Sequence, residues 1–483
     1  MATAISSPVD VSGRRRWVTL AGVLLGLLLG SVDQTIVGTA MPRVIAELGG
    51  FEAYAWVATA FMLASTVSVP IWGKLSDIYG RRALYLIGMS IFTLGSGLAG
   101  ASQDIGQLIA FRTLQGLGAG AILPVVQTIV SELFPPSERG KWQGLTVAVI
   151  GMATIMGPSV GGVITEHWSW RLTFLVNLPL GVLGMVTAGL AMPSLAGRPS
   201  HRIDYLGAIA LVGTAVPLLL AMSLVGPDVG WLTPQILGLL TLSAVMLVLF
   251  VAIERRAPEP IINPSFFRKR VFSVSMVAVF IASAQTLGAI TYLPLLVQGV
   301  LGESPANSGA ILTPMLLGFI VSSICGGQIM SRTGRYRLLA LAGFATAAVG
   351  MLLLALMGSS VSTVQVVGNL IIAGVGIGCL ISLFTIVVQN AFAFEQLGQV
   401  TANVQFFRLI GGTVGVALFG SLISTRSQAA LRSTLPTPSA VRLSLGVAFH
   451  DAFLTSMVAM LVALCITLFL PELPLRRTHR VRL

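Results

Sequence analysis

Apolar stretches, each about long enough to cross a bilayer, alternate with short polar segments from residue 17 to residue 470. They run approximately over 17–40, 54–72, 83–101, 107–131, 141–163, 170–192, 204–224, 234–253, 273–298, 306–330, 338–357, 363–390, 400–424 and 450–470. A helix needs about 20 apolar residues to cross a hydrocarbon core of roughly 30 Å. In lipid every backbone N–H and C=O must be satisfied internally, so runs of this length and hydropathy read as membrane helices. The first run follows Arg14, Arg15 and Arg16 and continues well past the roughly 7–15 residues of a signal-peptide core, which makes it a retained span. The pattern predicts an all-α membrane protein with 14 transmembrane helices.

Charge orients that bundle. With Arg14–Arg16 in the cytoplasm, every second connection is cytoplasmic too, and these connections and the two tails hold all but seven of the 29 Lys and Arg residues. Arg43, Arg171, Arg426, Arg432 and Arg442 fall on the opposite side, while Arg112 and Arg408 fall inside spans. This is the positive-inside distribution, and a miscounted span would invert every later loop and destroy it. Both termini are expected in the cytoplasm. A mean hydropathy of +0.90, with 55% hydrophobic and 10% charged residues, excludes a soluble globular chain. The net charge of +12 does not signal nucleic-acid binding, because the basic residues are spread over many short loops on one side. Cys325, Cys379 and Cys465 stand alone in three different spans as small packing residues, and no histidine pattern suggests a metal site.

The chain repeats itself. Gly73, Lys74, Asp77, Gly80 and Arg81 after the second span match Gly327, Gln328, Ser331, Gly334 and Arg335 after the tenth, at an offset of 254 residues. Gly116, Gly118 and Gly120 in the fourth span are echoed by Gly374, Gly376 and Gly378 in the twelfth, at an offset of 258. Two matches at nearly one offset predict a duplicated six-helix unit with two further spans between the copies. The expected organisation is a cytoplasmic tail over 1–16, a six-helix bundle over 17–195, two inserted helices with linkers over 196–270, a second six-helix bundle over 271–471 and a basic tail over 472–483. Parallel six-helix halves are the layout of major facilitator transporters.

Over essentially its whole length the chain resembles that superfamily, and more narrowly its fourteen-helix drug:proton antiporters of the EmrB/QacA type. Residues 73–82 resemble the signature loop between the second and third spans. Gly73 lets helix ends approach, Gly80 allows a tight turn, and Asp77 sits beside Arg81 and Arg82, where it can pair locally or meet a helix N-terminus. The resemblance implies that Asp77 reaches the cytoplasmic start of the helix after Gly398 and latches the outward-open state; Ser331 replaces the acid in the second copy. Residues 108–116, with Arg112, resemble the fourth-span motif, and an arginine there either pairs within the membrane or snorkels outward. Gly151, Gly157, Pro158, Gly161 and Gly162 resemble the antiporter motif, associated with exporters, and are expected to let the fifth span pack closely on the other half. Residues 168–179 resemble a stretch typical of the branch and read bottom-up as an aromatic interface belt with Arg171 as anchor.

Asp33 is the sharpest single residue. It lies well inside the first span in a pattern resembling the branch, with Gly38 where an Asn is usual. One reading makes it the proton-coupling acid together with Arg112, at similar depth in the membrane; the other makes it a structural acid paired with a neighbour or capping the helix near Pro42. Gln115, Gln127, Gln285, Tyr292, Gln389, Gln405, Phe406 and Arg408 are candidates for a substrate pathway, against ordinary helix-bridging roles. The expected function is a proton-coupled exporter of amphipathic or lipophilic compounds such as drugs, working by alternating access in the cell membrane, as a monomer and without a cofactor. Export of a lipid or a specific metabolite is the alternative, and a transport-inactive scaffold or sensor a more distant one. No GK[ST] phosphate loop, metal set or paired nucleophile and base is present in the sequence, so neither ATP drive nor an enzyme is expected.

Overall fold

A computed structural model describes residues 13–49, 53–192, 203–226, 229–303, 305–357, 362–431 and 438–475. Residues 1–12, the basic positions Arg198, Arg202 and Arg432, and the tail from residue 476 lie outside these. Among the described residues there is no strand, and 14 helices are long and apolar enough to cross a membrane. The helices are α1 (Gly13–Leu48), α2 (Tyr54–Tyr79), α3 (Arg81–Gly100), α4 (Ile105–Leu133), α5 (Pro136–His167), α6 (Arg171–Leu175), α7 (Asn177–Ala191), α8 (Tyr205–Leu224), α9 (Pro234–Glu254), α10 (Arg270–Gly299), α11 (Pro305–Thr333), α12 (Tyr336–Ala355), α13 (Thr363–Ala391), α14 (Leu397–Leu431) and α15 (Pro438–Thr467). The sixth crossing is shared by α6 and α7. The break ahead of Asn177 places Pro179 in the first turn of α7, where its missing N–H has no partner to lose.

Several helices outrun their apolar stretches. α14 extends to Leu431 and α15 begins at Pro438, twelve residues before the apolar run from 450. Polar side chains end the hydrophobic pattern without ending the helix, and Pro438 suits a first helical position. Asp104 and Asp204 mark other starts, accepting from the backbone N–H of Gln107 (2.8 Å) and Gly207 (2.7 Å).

The chain divides into two compact units: Met1–Ile203 with Phe392–Ala402 and Pro474–Leu483, and Asp204–Ala391 with Asn403–Leu473. In the first unit α4 packs between α2 and α3, while α5 and α7 lie on α1. In the second unit α13 packs between α11 and α12, and α15 lies on α10 and α12. Matching glycines make the same contacts in each unit. A Cβ on Gly116 would strike Phe61 O and one on Gly374 would strike Met315 O. Gly118 and Gly376 likewise meet backbone atoms, of Phe92 and of Ala347. Gly80 and Gly334 occupy equivalent turns and both have positive φ, +90° and +70°, which a side chain would strain.

The inserted helices α8 and α9 belong to the second unit and pack chiefly on each other. Trp231, between them, donates its indole N–H to Ser421 Oγ at 2.6 Å, and Ala221, Met222 and Ile236 cluster with Ala417 of α14. Most of α9 faces outward, with Val245 and Val248 exposed, and so are Ser223 and Thr241.

At Gly157 and Gly161 the antiporter-motif helix closes on a neighbour within its own unit. Gly157 and Gly161 pack on α1 of their own unit: a Cβ on Gly157 would fall on Thr35 Oγ1, and one on Gly161 on Thr39 Oγ1 and 2.6 Å from Ile36 Cγ1. Gly162 faces open space, Gly151 is buried, and Pro158 lies within an otherwise continuous helix. Small residues declare that something approaches closely but not what. Gly157→Leu is therefore expected to force α5 from α1, an overpacking penalty of about 1–3 kcal/mol or more, and to lower the melting temperature and yield of purified protein. Leucine at the open Gly162 position should leave both unchanged.

Candidate functional site

Two charged clusters sit inside the first unit. The deeper one is built on Asp33 of α1 and Arg112 of α4, which are 0% and 2% exposed. Arg112 Nη1 donates to Asp33 Oδ2 at 2.6 Å and to Gln115 Oε1 at 2.7 Å. Gln115 Nε2 and Asn177 Nδ2 both donate to Asp33 Oδ1, at 2.9 and 2.8 Å. Asn177 also donates to Ser96 Oγ at 2.9 Å, and Ser96 donates to Phe174 O at 2.9 Å. The guanidinium lies over the Phe61 ring, 4.1 Å from its centroid, with Phe174 further off at 5.8 Å.

This arrangement has a clear local origin. Gly95 lets α3 close on α4, since a Cβ there would come within 2.6 Å of Gln115 N, and so brings Ser96 near the site. Arg112 and Gln115 are one helical turn apart and share a face. Arg112 does not snorkel to the membrane edge; its charge is met by the Asp33 carboxylate, the Gln115 amide oxygen and an aromatic face. An ion pair this dry holds together because each oxygen of the carboxylate has a donor, and removing one partner from such a pair typically costs about 3–5 kcal/mol.

Three members lay hidden in the sequence. Gln115 stood among the pathway candidates, but Asn177, Ser96 and Phe61 as a platform for Arg112 were not foreseen. The stretch 168–179, expected to be an interface belt, is in part a structural brace. Trp170 is 2% exposed and donates to Glu47 Oε2 at 2.7 Å; Arg171 pairs with Glu47 and donates to Ser102 O at 2.9 Å; Trp168 and Leu172 are exposed. This brace fixes the entry to α6 and α7, and thereby Phe174 and Asn177.

The second cluster is at the α2–α3 turn. Asp77 accepts from Gly398 N at 3.0 Å and Gln399 N at 2.8 Å, two N–H groups in the first turn of α14. Its Oδ1 also pairs with Arg81 Nη2 at 2.5 Å. Arg81 is buried; it reaches Glu132 Oε1 of α4 at 2.7 Å and donates to Ser76 O at 2.6 Å. A carboxylate at a helix N-terminus meets both unsatisfied N–H groups and the positive end of the dipole. Gly73 has no room for a side chain: a Cβ would fall on Ala402 Cβ and within 2.9 Å of Gly398 O. Arg82 is half-buried beside this network.

The Major Facilitator Superfamily model matches residues 23–416. The chain belongs to that superfamily. It is 36% identical over 413 residues to the "Multidrug transporter protein MdtP" of Bacillus subtilis (strain 168), covering 86% of this chain and 76% of that one. It is 37% identical over 401 residues to "Multidrug resistance protein 3" of the same organism, covering 83% and 78%. Among solved structures, the human organic anion transporter MFSD10 (TETRAN) superposes with a TM-score of 0.64 at 17% identity, covering 94% of this chain and 99% of that one, which shows a shared fold. The protein is thus a multi-pass membrane transporter of the Major Facilitator Superfamily.

The remaining pathway candidates belong to both units of this superfamily member. Gln127 is buried on α4, where its backbone carbonyl accepts from Gln143 Nε2 at 3.1 Å. In the second unit Arg408 donates to Gln405 Oε1 at 3.0 Å and to Ile381 O at 2.8 Å, so neutral groups meet its charge. Gln389 is buried on α13, and Gln285 half-buried on α10. Tyr292 occupies the space left by Gly420, whose Cβ would fall on its hydroxyl. Phe406 turns to a cavity bounded by α8 and α9.

Proposed function

We propose that the protein is a proton-driven exporter of amphipathic or lipophilic compounds, with the basic loops and both termini on the cytoplasmic side of the cell membrane. The observation that carries this reading is the buried Asp33–Arg112 pair, joined by Gln115 and Asn177. A titratable acid at membrane depth, with its charge balanced by a single arginine, is a two-state element. When a proton adds to Asp33, the ion pair is lost and Arg112 is left as a buried cation that must find other partners. When the proton leaves, the pair re-forms. Gln115 and Asn177 are amides that donate to the charged acid, and by turning over they can accept from the protonated one. Coupling needs such an element, because one ligand must bias the conformation that releases the other.

The multidrug relatives support drugs as the substrate class, and the Asp77–α14 contact supports alternation between conformations. Gly157 and Gly161 serve this cycle by fixing α5 to α1, the helix that carries Asp33, and the motif thus acts within the unit. The test is transport in proteoliposomes under an imposed pH gradient, with a panel of lipophilic cationic dyes, antibiotics and lipids. Uphill movement of dyes that collapses when a protonophore is added is the expected result. Movement of lipid or of one metabolite alone would assign the narrower export function, and uphill movement indifferent to the pH gradient would remove the proton from the mechanism.

A further inference from the structure

The inserted helices were left without a role by the transport cycle above, yet they wall a cavity of about 620 Å³ within the second unit. Its sides come from α8, α9, α10 and α14, with Leu211, Leu218, Leu240, Leu247, Phe280 and Phe407 among the lining residues. Away from Glu254 and Arg255, its polar side chains are engaged by helix backbone: Thr214 donates to Ala210 O and Ser243 to Thr214 O, both at 2.8 Å. The interior therefore offers apolar surface and little else. Along α9 it extends from Leu240 to Arg255, about 22 Å at 1.5 Å per residue. That exceeds the ~15 Å half-thickness of a hydrocarbon core and suits a chain more than a compact ring system.

One end of the cavity is polar. Glu254, Arg255, Pro264 and Phe267 are shared with a second basin of about 870 Å³ that also contains Asn263 and Arg268. Glu254 is 2% exposed and accepts from Ile261 N at 3.2 Å, whereas Arg255 and Arg268 are exposed. The basin lies at the end of α9, where the chain enters the basic connection that holds Arg255, Arg256, Arg268, Lys269 and Arg270. Two outward guanidiniums above a long apolar slot match a phosphate attached to an acyl chain.

We infer that this cavity is a binding site for one anionic phospholipid, its phosphate between Arg255 and Arg268 and one acyl chain lying between α9 and α14. The inserted helices then act as a lipid clamp on the second unit, a task independent of proton coupling. Full-length protein purified in detergent, examined by native mass spectrometry with phosphatidylglycerol and phosphatidylcholine of identical chains, tests this. Wild type is expected to retain one phosphatidylglycerol about ten-fold more strongly than phosphatidylcholine. The double variant Arg255→Gln with Arg268→Gln should bind the two lipids alike. Ala244→Trp, which fills the slot from α9, should lose both, and Leu218→Trp, at the far end, should shift preference towards shorter chains. Thermal melting of each variant without added lipid reports whether it is folded, and Leu218→Trp keeps the test decisive if Ala244→Trp is not. Equal wild-type binding of the two lipids, unchanged chain-length preference in Leu218→Trp, equal competition by the glycerophosphoglycerol headgroup lacking chains, or displacement of phosphatidylglycerol by tetraphenylphosphonium would each overturn the assignment; the last would mark a cationic-drug site instead.

Discussion

Asp33→Asn is expected to abolish uphill, pH-driven efflux while downhill exchange of substrate survives. The substitution keeps the shape of the side chain and removes the carboxylate of the cluster. It also leaves Arg112 without a counter-charge in a site where both side chains are essentially inaccessible to water. Destabilisation of about 3–5 kcal/mol is expected from that orphaned charge, so reduced yield alone proves nothing about coupling. The double variant Asp33→Asn with Arg112→Gln separates the two effects. It removes the orphan and should recover much of the lost stability, because a neutral amide pair can satisfy itself among Gln115 and Asn177. Coupling should stay absent in the double variant. Measurement in proteoliposomes of dye accumulation against a gradient, with and without a protonophore, decides it. Purified Asp33→Asn that still concentrates substrate under a proton gradient would place the coupling acid elsewhere.

Membrane physics made the fold legible. Helix count, repeat and span positions follow from the demand that every crossing satisfy its own backbone and stay apolar for about 20 residues, and this leaves few alternatives. Asp33 and Arg112 were legible for the same reason: a charge amid apolar neighbours is conspicuous. Their companions were not. Asn177 and Ser96 belong to residue types that bridge membrane helices by hydrogen bonds, and nothing in their immediate sequence distinguishes an amide that binds a carboxylate from one that bridges two helices. Glu132 was missed through a boundary. The apolar run ends near residue 131, so the glutamate reads as part of a loop, whereas α4 continues to Leu133 and carries it back to Arg81. Gly157 and Gly161 taught the opposite lesson, since their smallness was evident and their partner was not. Which surfaces meet is a property of the whole bundle, and pairings such as Asp77 with Gly398, 321 positions apart, come only from the resemblance or the coordinates.

Asp77→Asn is expected to lower the transport rate at least five-fold while leaving protein amount and substrate binding close to wild type. Asp77 gives its two oxygens to two consecutive N–H groups at the start of α14, and shares one of them with Arg81. Asparagine retains one acceptor oxygen, replaces the other with a donor facing a donor, and cancels the charge that the α14 dipole and Arg81 both favour. Charge-assisted hydrogen bonds are worth about 1.5–3 kcal/mol each, and a helix-terminus term adds about 0.3–1 kcal/mol. A loss of even 1–1.5 kcal/mol from the conformation that contains this contact moves a balanced equilibrium roughly five- to ten-fold. The contact lies at the membrane edge, away from Asp33 and the apolar interior, so binding of a lipophilic compound should not feel it directly. Arg81 would keep Glu132 as a partner, which is why the fold should survive. Glu132→Gln, which weakens the support of Arg81 but leaves Asp77 on α14, should give a smaller loss. Rates in Asp77→Asn equal to wild type, measured with matched protein in proteoliposomes, would show that the α2–α14 contact is a structural staple with no bearing on the transport cycle.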